Sequence, residues 1–179
     1  TLNIDNTRST VDFGEATMKN YKQAGMPNQA YSLGIEYRDP KYWWIGANVN
    51  YIGGSYVDIS PLLRTENFLI NPDDSDGFPY ADATEANLKK VLKQEKLKDF
   101  TLVNISGGKS WRVNGNTIGF FASVNNIFDV EYKTGGFEQG RNANYGQVVE
   151  DMTGSVRAFG PKYFYGYGRT YFLNLYINF

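Results

Sequence analysis

The sequence predicts an all-β chain, an antiparallel up-and-down segment of a transmembrane β-barrel. Three observations predict it: five stretches alternate apolar and polar residues with a period of two, short and long connections strictly take turns, and residue usage favours strands. Aromatics make up 16% of the chain and Gly accounts for 19 of its 179 residues, which suits extended backbone and turns better than helix.

The first strand is expected near 29–38, where Tyr31, Leu33, Ile35 and Tyr37 share one face and the other is small or charged. After Asp39-Pro40-Lys41, the run 42–53 sets Trp43, Ile45, Ala47, Val49 and Tyr51 against Trp44, Gly46, Asn48 and Asn50, completing a tight hairpin. A third strand, 99–111, places Thr101, Val103 and Ile105 opposite Leu102, Asn104, Ser106, Gly108 and Ser110. Asn114-Gly115 then predicts a hairpin turn, since both residues tolerate the positive φ of type I′. The fourth strand, 117–128, opposes Ile118, Phe120, Ala122 and Val124 to Gly119, Phe121, Ser123 and Asn125. In the fifth, 163–179, Tyr171, Leu173, Leu175, Ile177 and Phe179 alternate with Phe172, Asn174, Tyr176 and Asn178.

The connections 39–41 and 112–116 are minimal, whereas 53–98 and 129–162 are long. In a meander this sorts all long loops to one side, as bacterial barrels sort extracellular loops from periplasmic turns. A β-sandwich mixes its loop lengths. Within the first long loop, Asp82 with Glu85 resembles a capping box, and Leu88, Val91 and Leu92 predict a short amphipathic helix near 83–97.

No apolar stretch reaches the roughly 18–20 residues of a membrane-spanning helix, and the mean hydropathy is −0.47. That excludes a helical membrane protein but not a barrel, whose strands show lipid only every second side chain. A net charge of −1, with basic and acidic residues mixed, offers no field for nucleic acid. With no Cys and no His, thiol chemistry, zinc-thiolate sites and the commonest general base are absent. Carboxylate pairs, Ser/His/Asp sets and phosphate-binding Gly loops do not occur at usable spacing, so no enzyme, metal or cofactor is expected. The acidic run Asn71–Gly77 fails as an EF-hand, because Asp76 stands where that loop needs Gly; it reads as a solvated turn, with calcium binding the minor alternative.

Backbone groups left unpaired in hydrocarbon cost several kcal/mol each, so a sheet crosses a bilayer only when closed. Five strands fall short of the roughly eight of the smallest barrels, so further chain or a partner must complete the wall. A start at Thr1 without Met or signal peptide agrees with a piece of a longer protein. In the completed wall, Glu36, Trp44, Asn48, Asn50, Phe121 and Asn125 would face the wet lumen, and Tyr145, with Gly135-Gly136, lies in the second long loop where a solute could be met. Tyr42, Trp43 and Trp111 flank the short turns as one interfacial girdle; Tyr51, Tyr56, Tyr163, Phe164, Tyr165 and Tyr167 flank the long loops as the other.

Three segments carry a family resemblance. Phe121-Ala122-Ser123-Val124-Asn125-Asn126-Ile127-Phe128-Asp129 followed by Tyr132, Gly166-Tyr167-Gly168-Arg169-Thr170-Tyr171-Phe172, and the terminal Phe179 resemble TonB-dependent outer-membrane receptors, in particular the Bacteroidetes branch with an amino-terminal carboxypeptidase-regulatory-like domain. The likeness extends to Tyr56–Pro61 and Gly135–Gly146. It implies that the chain is the carboxy-terminal part, about the last five strands, of a barrel of about 22 strands around a plug. It further implies outer-membrane location, uptake of a glycan, peptide or metal chelate, and Phe179 as the signal read by barrel-assembly machinery. Implied partners are the remainder of the barrel and its plug, TonB through an amino-terminal part outside this sequence, the lipid bilayer and a surface lipoprotein. Two other readings stay open: a non-transporting receptor-like barrel that scaffolds an envelope complex, and a secreted β-rich binding module.

Overall fold

The computed structural model describes residues 2–5, 16–139 and 143–179. Gly140, Arg141 and Asn142 of the second resembling stretch lie outside them. The chain, expected as one wall segment, divides into two compact units. The sheet unit comprises Pro27–Gly54, Lys98–Lys133 and Tyr165–Phe179; the packed unit comprises Thr1–Met26, Ser55–Leu97 and Thr134–Phe164. Among the described residues no helix is long and apolar enough to cross a membrane.

The sheet unit consists of β3 (Gln29–Asp39), β4 (Trp43–Gly53), β5 (Phe100–Val113), β6 (Asn116–Asn125) and β9 (Thr170–Asn178), with β1 (Leu2–Asp5), β2 (Ala16–Lys19), β7 (Lys133–Phe137) and β8 (Lys162–Tyr165) forming two separate two-stranded pairs. Its order is β3-β4-β5-β6-β9, every pairing antiparallel, so each strand lies beside the next of the meander. Register keeps the two faces continuous. One row across the strands reads Ile35, Ala47, Ile105, Val124 and Tyr171; the row beside it reads Glu36, Gly46, Ser106, Ser123 and Phe172. A slip of one residue at any pairing would mix these sets, so the period-two pattern fixes the register.

Both hairpin turns have a local chemical cause. Asn114 and Gly115 adopt φ of 51° and 85°, the two positive values a type I′ turn requires. At the first turn the Asp39 carboxylate accepts from the Lys41 backbone N–H at 2.8 Å. Tyr42, expected inside β4, instead sits in the turn with φ of 62°, a strained value for an aromatic residue. Its N–H donates to the Asp39 carbonyl and its carbonyl accepts from Ser110, which hold it there.

Two strand expectations and one helix expectation shift. The fourth strand ends at Asn125, because Asn126 turns left-handed with φ of 51°. The expected strand 163–179 is two elements: β8 pairs with β7, and only Thr170–Asn178 joins the main sheet. The helix expected over 83–97 is α1, Glu85–Val91, capped by Thr84, whose side chain accepts from the Asn87 N–H. Asp82 does not cap it; its carbonyl instead accepts from the Asn87 side chain.

The two long connections are folded together rather than bare. In the packed unit, Leu63, Phe68, Leu69, Leu88, Leu92, Ala143, Tyr145 and Val148 form one buried cluster. A second helix, α2 (Tyr145–Thr153), starts with a reciprocal capping box between Asn144 and Gln147.

Arg64 ties this unit. Its side chain is fully buried, and all five N–H donors meet acceptors: the Tyr21 hydroxyl, the Ser60 and Leu92 carbonyls, and both oxygens of Glu138. Burial alone would lower the guanidinium pKa, but the bidentate Glu138 carboxylate and Tyr21 outweigh it and the pKa is raised.

Candidate functional site

The polar face of the sheet unit carries the candidate site, a shallow groove of about 470 Å³. Of the residues expected to line a lumen, Glu36, Asn48, Phe121 and Asn125 border it together, joined by Asn104, Ser106 and Ser123 from the intervening strands. Strand alternation alone puts them there: each is two residues from another polar or small side chain on its own strand. Gly34 and Gly46 keep the floor low.

Along one side runs an aromatic shelf. Arg38, Trp44, Gly108 and Phe121 stand in one cross-strand row. The Arg38 guanidinium lies 5.7 Å from the Trp44 ring centroid, Trp44 and Phe121 stack at 5.8 Å and 20°, and Phe172 meets Phe121 at 5.8 Å. Gly108 makes the stack possible, because a Cβ there would lie 2.9 Å from the Trp44 indole nitrogen and 2.7 Å from the Phe120 carbonyl. Arg38 also pairs with Glu36, so this charged cluster is compensated.

The remaining expected residues are placed as follows. Asn50 lies on the polar face outside the groove, where its side chain accepts from the Ser32 hydroxyl at 2.8 Å. The Asn125 amide donates to the Thr170 hydroxyl, joining β6 to β9. Tyr145 is not on this face: it is 1% exposed in the core of the packed unit, its hydroxyl donating to the Asp82 carbonyl at 3.0 Å. An apolar ring beginning an amphipathic helix belongs in a core, which corrects its assignment as a solute contact. Burial first, then the Asp82 carboxylate, raises its pKa.

The aromatics expected at the two interfaces separate by end. Trp43 and Trp111 lie on the apolar face at the short-turn end, with Tyr37 against Trp43 at 5.3 Å; Tyr42 is exposed in the turn itself. Tyr51 stacks on Tyr31 at 5.9 Å at the opposite end, its hydroxyl donating to Asp99. Tyr165, Tyr167 and Phe179 are exposed.

The resembling motifs turn out to touch one another. The Asn126 side chain accepts from the Val130 N–H and donates to the Val130 and Tyr167 carbonyls, while its own N–H donates to Asn104. Asp129 accepts from the Arg169 N–H at 2.7 Å, and the Tyr132 carbonyl accepts from Gly166. The Tyr132 ring lies so close over Gly166 that a Cβ would fall 2.0 Å from it. Together these contacts fix the start of β9 against the end of β6. Arg38, Gly108 and Asn104 were not singled out from sequence; each becomes visible only once the register aligns it with Trp44, Phe121 or Asn126.

Among the described residues no group of His, Cys, Asp and Glu is arranged to hold a metal ion. No protein-family model matches the chain, and a search of curated proteins finds no match.

Proposed function

We infer that the chain is part of the wall of an outer-membrane TonB-dependent transporter that takes up a nutrient, a glycan, peptide or metal chelate, into the periplasm. The observation that carries this reading is the apolar face of the sheet unit, whose large side chains point away from any protein core: Leu33 is 77% exposed and Ile35 79%. A monomer in water rarely shows an apolar patch of more than a few hundred Å². Lipid resolves the contradiction, and the 11-residue strands β3 and β4 match the roughly 9–11 residues a tilted strand needs to cross. Among the described residues nothing pairs with the outer edges of β3 and β9, and further strands would close the wall there, because open edges do not survive in hydrocarbon. The shelf and amide-lined groove on the other face suit a wet lumen.

The full-length protein is expected in the outer-membrane fraction, and its gene deletion should abolish growth on one nutrient among glycans, peptides and metal chelates, with the same loss when TonB is removed. Unchanged growth on all of them, together with recovery of several envelope proteins on the purified barrel, would replace transport by a scaffolding role. Recovery in the aqueous fraction without detergent would defeat both.

A further inference from the structure

The apolar face is not evenly filled. The row Ile45, Gly107, Ala122 and Leu173, in register across β4, β5, β6 and β9, places two of the smallest side chains between two large ones. Gly107 is held at that size, since a Cβ on it would lie 2.9 Å from the Trp44 carbonyl oxygen. The result is a groove of about 450 Å³, floored by Gly107 and Ala122 and walled by Ile45, Ile105, Phe120 and Val124.

One charged side chain lines it. Lys109 sits at the groove's short-turn end, level with its register partners Trp43 and Phe120, and its ammonium lies 5.5 Å from the Trp111 ring centroid. No carboxylate among the described residues pairs with it. A cation in mid-bilayer is costly, but near the interface a lysine reaches the headgroup level and an indole marks that level. An apolar slot ending in an ammonium is complementary in shape to an acyl chain and in charge to a phosphate.

The geometry points to a binding site for one phospholipid with an anionic headgroup, its acyl chain along the Gly107–Ala122 floor and its phosphate on Lys109. This site rests on the reading of the apolar face as bilayer-facing. The occupant is a lipid rather than a protein segment because the walls offer side chains and no free backbone edge, β5 being paired on both sides.

The test titrates the full-length protein, in dodecylmaltoside micelles, with dioleoylphosphatidylglycerol and separately with dioleoylphosphatidylcholine, counting bound lipid by native mass spectrometry. Phosphatidylglycerol should bind about fivefold more tightly at low salt, the worth of one lysine near a lipid phosphate. Lys109→Gln should remove that difference, Lys109→Arg should keep it, and Ala122→Leu should weaken both lipids by filling the groove. Equal binding of the two lipids overturns the site, as does a preference that Lys109→Gln leaves intact or a second copy of the protein retained there instead of lipid. A protein that stays dispersed without detergent defeats the bilayer reading itself, whereas one that needs detergent yet shows no preference defeats only the phospholipid site.

Discussion

In the packed unit Leu88 is 0% exposed and Leu92 2%, while in the sheet unit Leu175 is 75% exposed and Leu33 equally open. Every buried hydrophobic residue described in the chain, from Val57 to Val148, belongs to the packed unit. The same side chain is thus treated in opposite ways within one polypeptide. Burying a large aliphatic side chain is worth about 1.5–3 kcal/mol in water, so leaving a whole face of them open forgoes the main driving force for folding there. The packed unit has a core, satisfied polar groups and capped helices. The sheet unit leaves its aliphatic face uncovered while its backbone groups are paired across the strands, the pattern the proposed bilayer setting accounts for.

The largest expected effect falls on the packed unit's buried ion pair. Arg64→Ala strands Glu138 without its partner and should cost about 3–5 kcal/mol. Protease cleavage within 55–97 should then occur at doses the wild type resists; unchanged resistance would mean that Arg64 does not hold these segments together. Next, Leu88→Ala should cost about 2–5 kcal/mol by the same assay, while Leu33→Ala should leave that unit's cleavage unaltered. Comparable damage from both would erase the contrast between the units.

A charge sharpens the comparison from the other side. Ile35→Arg on the apolar face should cost about 2–4 kcal/mol of barrel stability, and Asn48→Arg on the wet face far less. Heat-dependent gel mobility of the assembled barrel measures both, and equal losses would contradict a lipid-facing side.

Much of the sheet was legible beforehand because period-two alternation is a local signal: Tyr31 to Tyr37 and Tyr171 to Ile177 declare their faces without any partner strand. The Asn114-Gly115 turn was equally readable, since its positive φ values follow from residue type. The packed unit was not, because Arg64 draws on Tyr21, Leu92 and Glu138, residues far apart in sequence with no periodicity linking them. Tyr145 was misplaced for a related reason: its helix was missed, although Asn144 and Gln147 three residues on carried a readable capping signal. On the candidate site, alternation sorted Glu36, Asn48, Phe121 and Asn125 to one face, but only the register reveals that Gly108 brings Trp44 onto Phe121.

The smallest expected effect concerns pH. The Tyr145 pKa is raised above its ordinary 10.0, so its contribution is complete below pH 10 and is lost as pH climbs through the higher folded value. Protease resistance of the packed unit should therefore fall in strong alkali, and Tyr145→Phe should flatten that fall; an identical alkaline profile would remove Tyr145 as its source.

Nitroxide scanning of β3 and β4 in the full-length protein, reconstituted in liposomes, tests the proposed lipid-facing side of the sheet most directly, since this stretch of chain holds no native cysteine to compete for the label. Labels at Leu33, Ile35 and Val49 should collide with oxygen and be shielded from a water-soluble nickel chelate, and labels at Ser32, Asn48 and Asn50 should show the reverse. Free access of the nickel chelate at all six positions would contradict a sheet with one face in lipid.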